Sequence, residues 1–160
     1  MELTVREIAK RVAPDMDATA INRLVRQLRH WTLAGALKPI GPVSSGVGHH
    51  RKYSGESLYI AAILIELSRY RLPVNEMAGL ALLFLIMPRG ANRPRWATMW
   101  QQAKAGEAVI HAAIALGDLH KKGGSADVVL YVPEGNPITL DKENSAIILN
   151  LTRLFSGLGA

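Results

Sequence analysis

The sequence predicts a mainly α protein that ends in a small β-containing (α+β) element. Three observations carry this. Apolar residues recur at helical spacing through the first half of the chain. Proline and glycine clusters interrupt that rhythm at only a few places. Toward the C-terminus, short runs rich in Val and Ile replace it. At 160 residues, 49% hydrophobic and 20% charged, the chain can bury a core.

Taken in order, Thr4 is placed to cap a short helix, with Glu7 three residues on as its capping-box partner. Val5, Ile8, Ala9 and Val12 share one face of that helix, and Pro14 ends it. Asp15 and Asp17 offer N-caps for a second helix. Its apolar positions, Ala20 or Ile21, Leu24, Val25, Leu28 and Trp31, follow the helical rhythm. Asn22, Arg23, Arg26, Gln27, Arg29 and His30 fall between them, so the polar face is cationic. Gly35 is suited to stop the helix. Lys38 to Tyr53, with prolines and glycines inside and β-prone residues at both ends, reads as a hairpin. Ser54 is placed to cap a third helix. Leu58, Ile60, Ala61, Ile63, Leu64, Ile65 and Leu67 nearly surround that helix, which makes it central to the core. Arg69 to Arg71 end it, and a fourth helix runs from Val74 or Asn75 to about Ile86.

Met87 to Pro94 reads as a linker. Trp96 to about Gly117 is predicted helical, and Asp118 to Ala126 a polar turn. Asp127 to Val132 is predicted as a strand, Pro133 to Pro137 as a turn and Ile138 to Leu140 as a short strand. Ser145 to Leu151 is a strand or a buried helix, and Leu151 to Leu158 a short amphipathic piece. The expected organisation is a head over 1–75, a helical middle over 76–126 and a small β-containing element over 127–160.

The charge belongs to the head. The chain carries 19 Lys and Arg against 13 Asp and Glu, a net +6. Residues 1–75 hold 11 and 6 of these, residues 76–125 hold 6 and 3, and residues 126–160 hold 2 and 4. A basic head and a mildly acidic tail suggest a polyanion partner for the head. The absence of cysteine excludes disulfides, thiol nucleophiles and thiolate metal sites. The longest apolar run, Ala78 to Met87, has ten residues, too few to span a bilayer. No secretory signal is visible, so a soluble intracellular protein is expected.

Helix, turn, cationic helix and glycine-tipped hairpin is the order of a winged helix-turn-helix. Such a helix fits the major groove, and a hairpin beside it reaches phosphates or the minor groove. Toward the N-terminal half of the second helix lie Thr19, Asn22, Arg23 and Arg26. Asn can bond adenine bidentately and Arg guanine. His30 shares that polar face. His50, Arg51 and Lys52 make the hairpin's return arm basic. His49 and His50 do not read as a metal site, since neighbours in an extended chain point apart and no acidic or Cys partner is near. Trp96, Met99 and Trp100 could wall a ligand pocket or a dimer interface, with core packing the plainer reading. No nucleophile has a base and an orienting group beside it, and no Gly-rich loop leads to a helix with a Lys. No enzyme activity, cofactor or metal is expected.

The resemblance to a known family rests on three segments. Arg29-His-Trp-Thr-Leu-Ala-Gly-Ala-Leu37 is similar to the segment that closes the helix-turn-helix of MerR-family transcription regulators. His49-His-Arg-Lys-Tyr-Ser54 resembles that family's wing signature, and Arg71-Leu-Pro-Val-Asn-Glu-Met77 the loop that opens its fourth helix. The likeness spans residues 3 to 80, about half the chain. It departs from the pattern at His30, where the family has an aromatic residue, and at Thr32, where it has an acidic one. The stretch before Arg29 is also longer, and the family's long dimer helix is broken at Pro88 to Pro94.

The resemblance implies a winged helix-turn-helix head, with Arg29 and Arg51 near phosphates and Trp31 and Tyr53 packed near the DNA backbone. Trp31 reads more as core than as a DNA contact, and Tyr53 as a packed ring with its hydroxyl out. It further implies a homodimer on promoter or operator double-stranded DNA, with RNA polymerase as a further partner, in the bacterial cytoplasm and nucleoid. Two other readings stand beside it. One is an excisionase-like architectural DNA-binding accessory factor. The other is a ligand-sensing or protein-interaction module whose basic head is incidental.

Overall fold

In the computed structural model the protein is mainly helical, with short antiparallel strands. It describes residues 1–43, 50–85, 111–115, 127–131, 146–156 and 158. The chain divides into two compact units, Met1–Ala81 with Gly157–Ala160, and Leu82–Ser156. Among the described residues no helix is long and apolar enough to cross a membrane.

The first unit opens with strand β1 (Glu2–Thr4), which runs straight into helix α1 (Val5–Val12). Thr4 makes the junction. Its hydroxyl accepts from the Glu7 N–H at 3.3 Å, while the Glu7 carboxylate accepts from the Thr4 N–H at 2.6 Å. This reciprocal capping box is the one expected from the sequence, and it satisfies two donors that a helix start leaves over. The helix ends ahead of Pro14, as expected. Residues 13–17 then turn the chain into α2 (Ala18–Leu33), where Asp17 caps the start by accepting from the Ala20 N–H at 2.7 Å.

At the far end of α2, Gly35 has φ +80, a left-handed conformation that glycine adopts without a Cβ penalty. The N–H groups of Gly35 and Ala36 bond the Thr32 and Trp31 carbonyls at 3.1 and 2.9 Å. These two bonds form a Schellman closure, and both Trp31 and Ala36 are buried there.

Strand β2 (Lys52–Ser54) pairs antiparallel with β1, in the register Glu2 with Ser54, Leu3 with Tyr53 and Thr4 with Lys52. No strand is expected at the N-terminus from the sequence. Of the expected hairpin, Ile40 bridges Lys52, and its N–H donates to the Lys52 carbonyl at 2.7 Å. Residues 44–49, the expected tip, lie outside the described residues.

Helix α3 (Gly55–Arg69) follows directly and buries Ser57, Leu58, Ile60, Ala61, Ala62, Ile63, Leu64 and Leu67. It is the central helix that its apolar sequence predicts. Ser54 occupies the N-cap position, but its hydroxyl makes no cap bond and lies 3.4 Å from the Ser57 hydroxyl instead. Arg71 takes a positive φ of 57 before Pro73, and α4 (Val74–Leu85) begins. The core of the unit gathers Leu3, Ile8, Leu28, Trp31, Leu37, Tyr53, Ile63 and Leu64.

The second unit holds a three-stranded antiparallel sheet of β3 (His111–Ala115), β4 (Asp127–Tyr131) and β5 (Ala146–Asn150), in the order β4-β3-β5. The central strand corrects the sequence reading, which extends a helix over Trp96 to Gly117 through the helical middle. Alanine favours a helix locally, yet His111–Ala115 pairs along its whole length with β4 on one side and β5 on the other. The expected strand at Asp127 is present. The ambiguous segment after Ser145 is a strand, with Ile147 and Leu149 buried and Ile148 and Asn150 exposed. It passes at once into α5 (Leu151–Ser156). Asn150 caps that helix by accepting from the Arg153 N–H at 2.8 Å, and Leu151 and Phe155 are buried. The expected linker over 87–94, the polar turn over 118–126 and the turn and short strand over 133–140 lie outside the described residues.

Candidate nucleic-acid interface

The exposed face of α2 follows from the period of the helix. Ile21, Leu24, Val25, Leu28, Trp31 and Thr32 are buried, so the positions between them must face outward. Thr19, Asn22, Arg23, Arg26, Arg29 and His30 are all exposed. Thr19, Arg23, Arg26 and His30 stand four, three and four residues apart, which aligns them in one stripe about 16 Å long. Asn22, Arg26 and Arg29 form the adjoining stripe. No acidic residue lies within α2. Arg69 pairs with Glu66 at 3.0 Å, and among the described residues none of the three arginines of α2 is in an ion pair.

Asn22 has a partner that the sequence did not reveal. Arg6 of α1 donates to the Asn22 side-chain carbonyl at 3.3 Å. Arginine only donates, so the amide oxygen faces Arg6 and the amide NH2 turns away from it. The helical period places Arg6 on the outer side of α1. Asn22 lies sixteen positions along the chain from Arg6, which leaves no local signal of the contact.

The basic segment after the loop divides by residue. His50 and Lys52 are exposed. Lys52 sits between Thr4 of β1 and Ile40, paired with both. Arg51 is half-buried, and its Nε–H donates to the Val43 carbonyl, so it fastens the two ends of the loop together. Tyr53 is fully buried, as is Trp31. The hydroxyl expected to point outward lies instead 2.9 Å from the Thr32 hydroxyl, which itself donates to the Leu28 carbonyl at 2.9 Å. The Leu3–Tyr53 pairing explains the difference: in a strand the side chain opposite a core residue turns to the same, buried side. Tyr53 and Thr32 therefore link β2 to α2 from inside.

Glu7, at the junction of β1 and α1, is held below the usual glutamate range, chiefly by the Thr4 hydroxyl and then by the Thr4 N–H, with Lys52 and Arg11 adding to the effect. Its negative charge is thus committed to the cap. Among the described residues no group of three or more His, Asp or Glu side chains is arranged to hold a metal ion. Trp96, Met99 and Trp100 lie outside the described residues. No protein-family profile matches the chain, and no curated protein matches it.

Proposed function

We propose that this chain is a sequence-specific DNA-binding transcriptional regulator with a MerR-like winged head, which binds promoter or operator DNA as a homodimer. In this reading α2 is the recognition helix, and the segment around β2 is the wing. One observation carries the reading: α2 turns Arg23, Arg26 and Arg29 outward on a face without a carboxylate, while its opposite face is locked in the core. A helix about 10–12 Å across enters a major groove about 12 Å wide. Arginines on it supply phosphate affinity and can reach guanine, and Thr19 and Asn22 add neutral polar contacts. Lys52 and His50, both exposed, extend the positive surface onto the wing.

The test is binding of the full chain to random-sequence duplex DNA, followed by fluorescence anisotropy at a series of salt concentrations. The wild type should bind and weaken steeply with salt. The variant Arg23→Ala/Arg26→Ala/Arg29→Ala should bind less tightly. If each arginine neutralises one phosphate, its log–log salt slope is shallower by about 2.7. No wild-type affinity at low salt, or an unchanged slope in the variant, would overturn the proposal. Selection of a preferred sequence from a random pool then separates a regulator from a sequence-tolerant architectural factor.

A further inference from the structure

A second basic feature adjoins the outward face of α2, meeting it where Arg6 bonds Asn22. Helix α1, the connection over 13–17 and the start of α2 line an open groove of about 430 Å³. That volume falls within the roughly 300–1,000 Å³ of small-molecule sites. Its lining is of two kinds. Pro14, Met16 and Ile21 supply apolar wall, with Ile21 buried at 5% exposure and Met16 flexible and open at 46%. Arg6 and Lys10 supply two positive charges.

Three features of the charges point to an anion. Arg6 and Lys10 are one turn apart on α1, so they are close neighbours of like sign, an arrangement that costs an isolated helix a few tenths of a kcal/mol. Among the described residues neither is in an ion pair. The carboxylates of Glu7 and Asp17 are engaged elsewhere, with Thr4 and with the Ala20 N–H, and neither these two nor the exposed Asp15 lines the cleft. An anion seated between Arg6 and Lys10 replaces a repulsion with two attractions. The apolar wall beside them favours a ligand that also carries a hydrocarbon part.

We propose that this cleft binds a small amphipathic anion: a carboxylate or phosphate on a short apolar body, with Arg6 and Lys10 on the charge and Met16 and Ile21 against the body. The inference does not rest on DNA binding. It touches that reading at one point, because Arg6 has five N–H donors and can hold Asn22 and an anion together.

The test is titration of the full chain, followed through the methyl NMR signals of Met16 and Ile21. The probes are sodium octanoate and hexyl phosphate, with octylammonium chloride and sodium chloride at matched ionic strength as controls. Saturable shifts with either alkyl anion and none with octylammonium support the site, and the stronger of the two anions identifies the headgroup. Arg6→Ala and Lys10→Ala should each weaken binding about three- to tenfold. Lys10→Arg should bind like the wild type, and thermal unfolding of each variant reports that it is folded. The proposal is overturned if neither anion gives a saturable shift, if octylammonium moves the same methyls equally, or if Arg6→Ala/Lys10→Ala binds octanoate and hexyl phosphate unchanged. It is also overturned if duplex DNA shifts both methyls and neither alkyl anion does, since the cleft would then be part of the DNA interface.

Discussion

Thr32→Val should destabilise the first unit more than Tyr53→Phe, although both variants break the same hydrogen bond. The Thr32 hydroxyl has one proton, and the Leu28 carbonyl takes it at 2.9 Å. Tyr53 must therefore be the donor in its 2.9 Å contact with Thr32. In Tyr53→Phe the donor disappears and the Thr32 hydroxyl keeps Leu28, so the loss is one net hydrogen bond, about 1 kcal/mol. In Thr32→Val the shape is kept but the Tyr53 hydroxyl is stranded where the side chain has no exposure. That leaves a buried donor unsatisfied, at a cost of about 1–3 kcal/mol. The double variant Thr32→Val/Tyr53→Phe removes both polar groups and should be more stable than Thr32→Val alone. Urea unfolding followed by circular dichroism, with unchanged m-values, measures all three. The reasoning fails if Tyr53→Phe costs as much as Thr32→Val, or if the double variant is the least stable.

Other outcomes follow from single features. Gly35→Ala should cost about 1–2 kcal/mol in chemical denaturation; nothing lies within 4 Å of the added Cβ, so the whole cost is the positive φ. Asp17→Ala should lose about 0.5–2 kcal/mol by removing the cap on the Ala20 N–H. Glu7 is held below its ordinary value of 4.5, so its contribution is complete above that pH and is lost as pH falls through the folded-state value. The stability gap between the wild type and Glu7→Gln should therefore close as the solution is acidified below pH 4.5, read by thermal unfolding. Leu28→Ala, at a position with no exposure beneath the arginine face, should cost about 2–5 kcal/mol in the same assay.

The features legible in the sequence were those decided within a few residues. The Thr4–Glu7 box, the Asp17 cap, the Gly35 stop and the buried stripe of α2 each have their whole cause inside one or two helical turns. Because the stripe is local, the exposure of Thr19, Asn22, Arg23, Arg26, Arg29 and His30 followed from it. What was illegible depended on distant partners. Strand β1 exists because Leu3 pairs with Tyr53, half a unit away in sequence, and Leu3–Tyr53 pairing also turned that tyrosine inward. His111–Ala115 has the composition of a helix and becomes a strand through pairing on both edges. Ser54 sits at the right position for a cap, but Ser57 lies within reach of its hydroxyl and Ser57 itself donates to the Lys38 carbonyl at 3.3 Å. The Arg6–Asn22 contact needs α1 already packed on α2, which no periodicity states.

These non-local contacts tie the helix that carries the arginine face into the core of the unit. From β1 the chain enters α1 without a break, and α1 packs against α2. Helix α2 is tied through Thr32 and Tyr53 to β2, and β2 is paired back to β1. The circuit closes on itself, so α2 cannot shift without disturbing either the β1–β2 pairing or the α1 contact. Lys52 belongs to the same circuit, since its neighbour Tyr53 carries the link to α2. The backbone positions of Arg23, Arg26, Arg29 and Lys52 are therefore fixed with respect to one another before any ligand arrives. On the proposed reading, binding would order side-chain ends rather than chain segments, and each long side chain held still costs about 0.5–1.5 kcal/mol. A polyanion with evenly spaced charges is the kind of partner for which a preset spacing of cations has value, because one correct spacing serves every contact at once. A flexible basic segment of the same composition would have to order its backbone as well, at roughly 1–2 kcal/mol per residue. That difference is why charge on a packed helix is stronger support for a polyanion interface than the same charge counted along the chain.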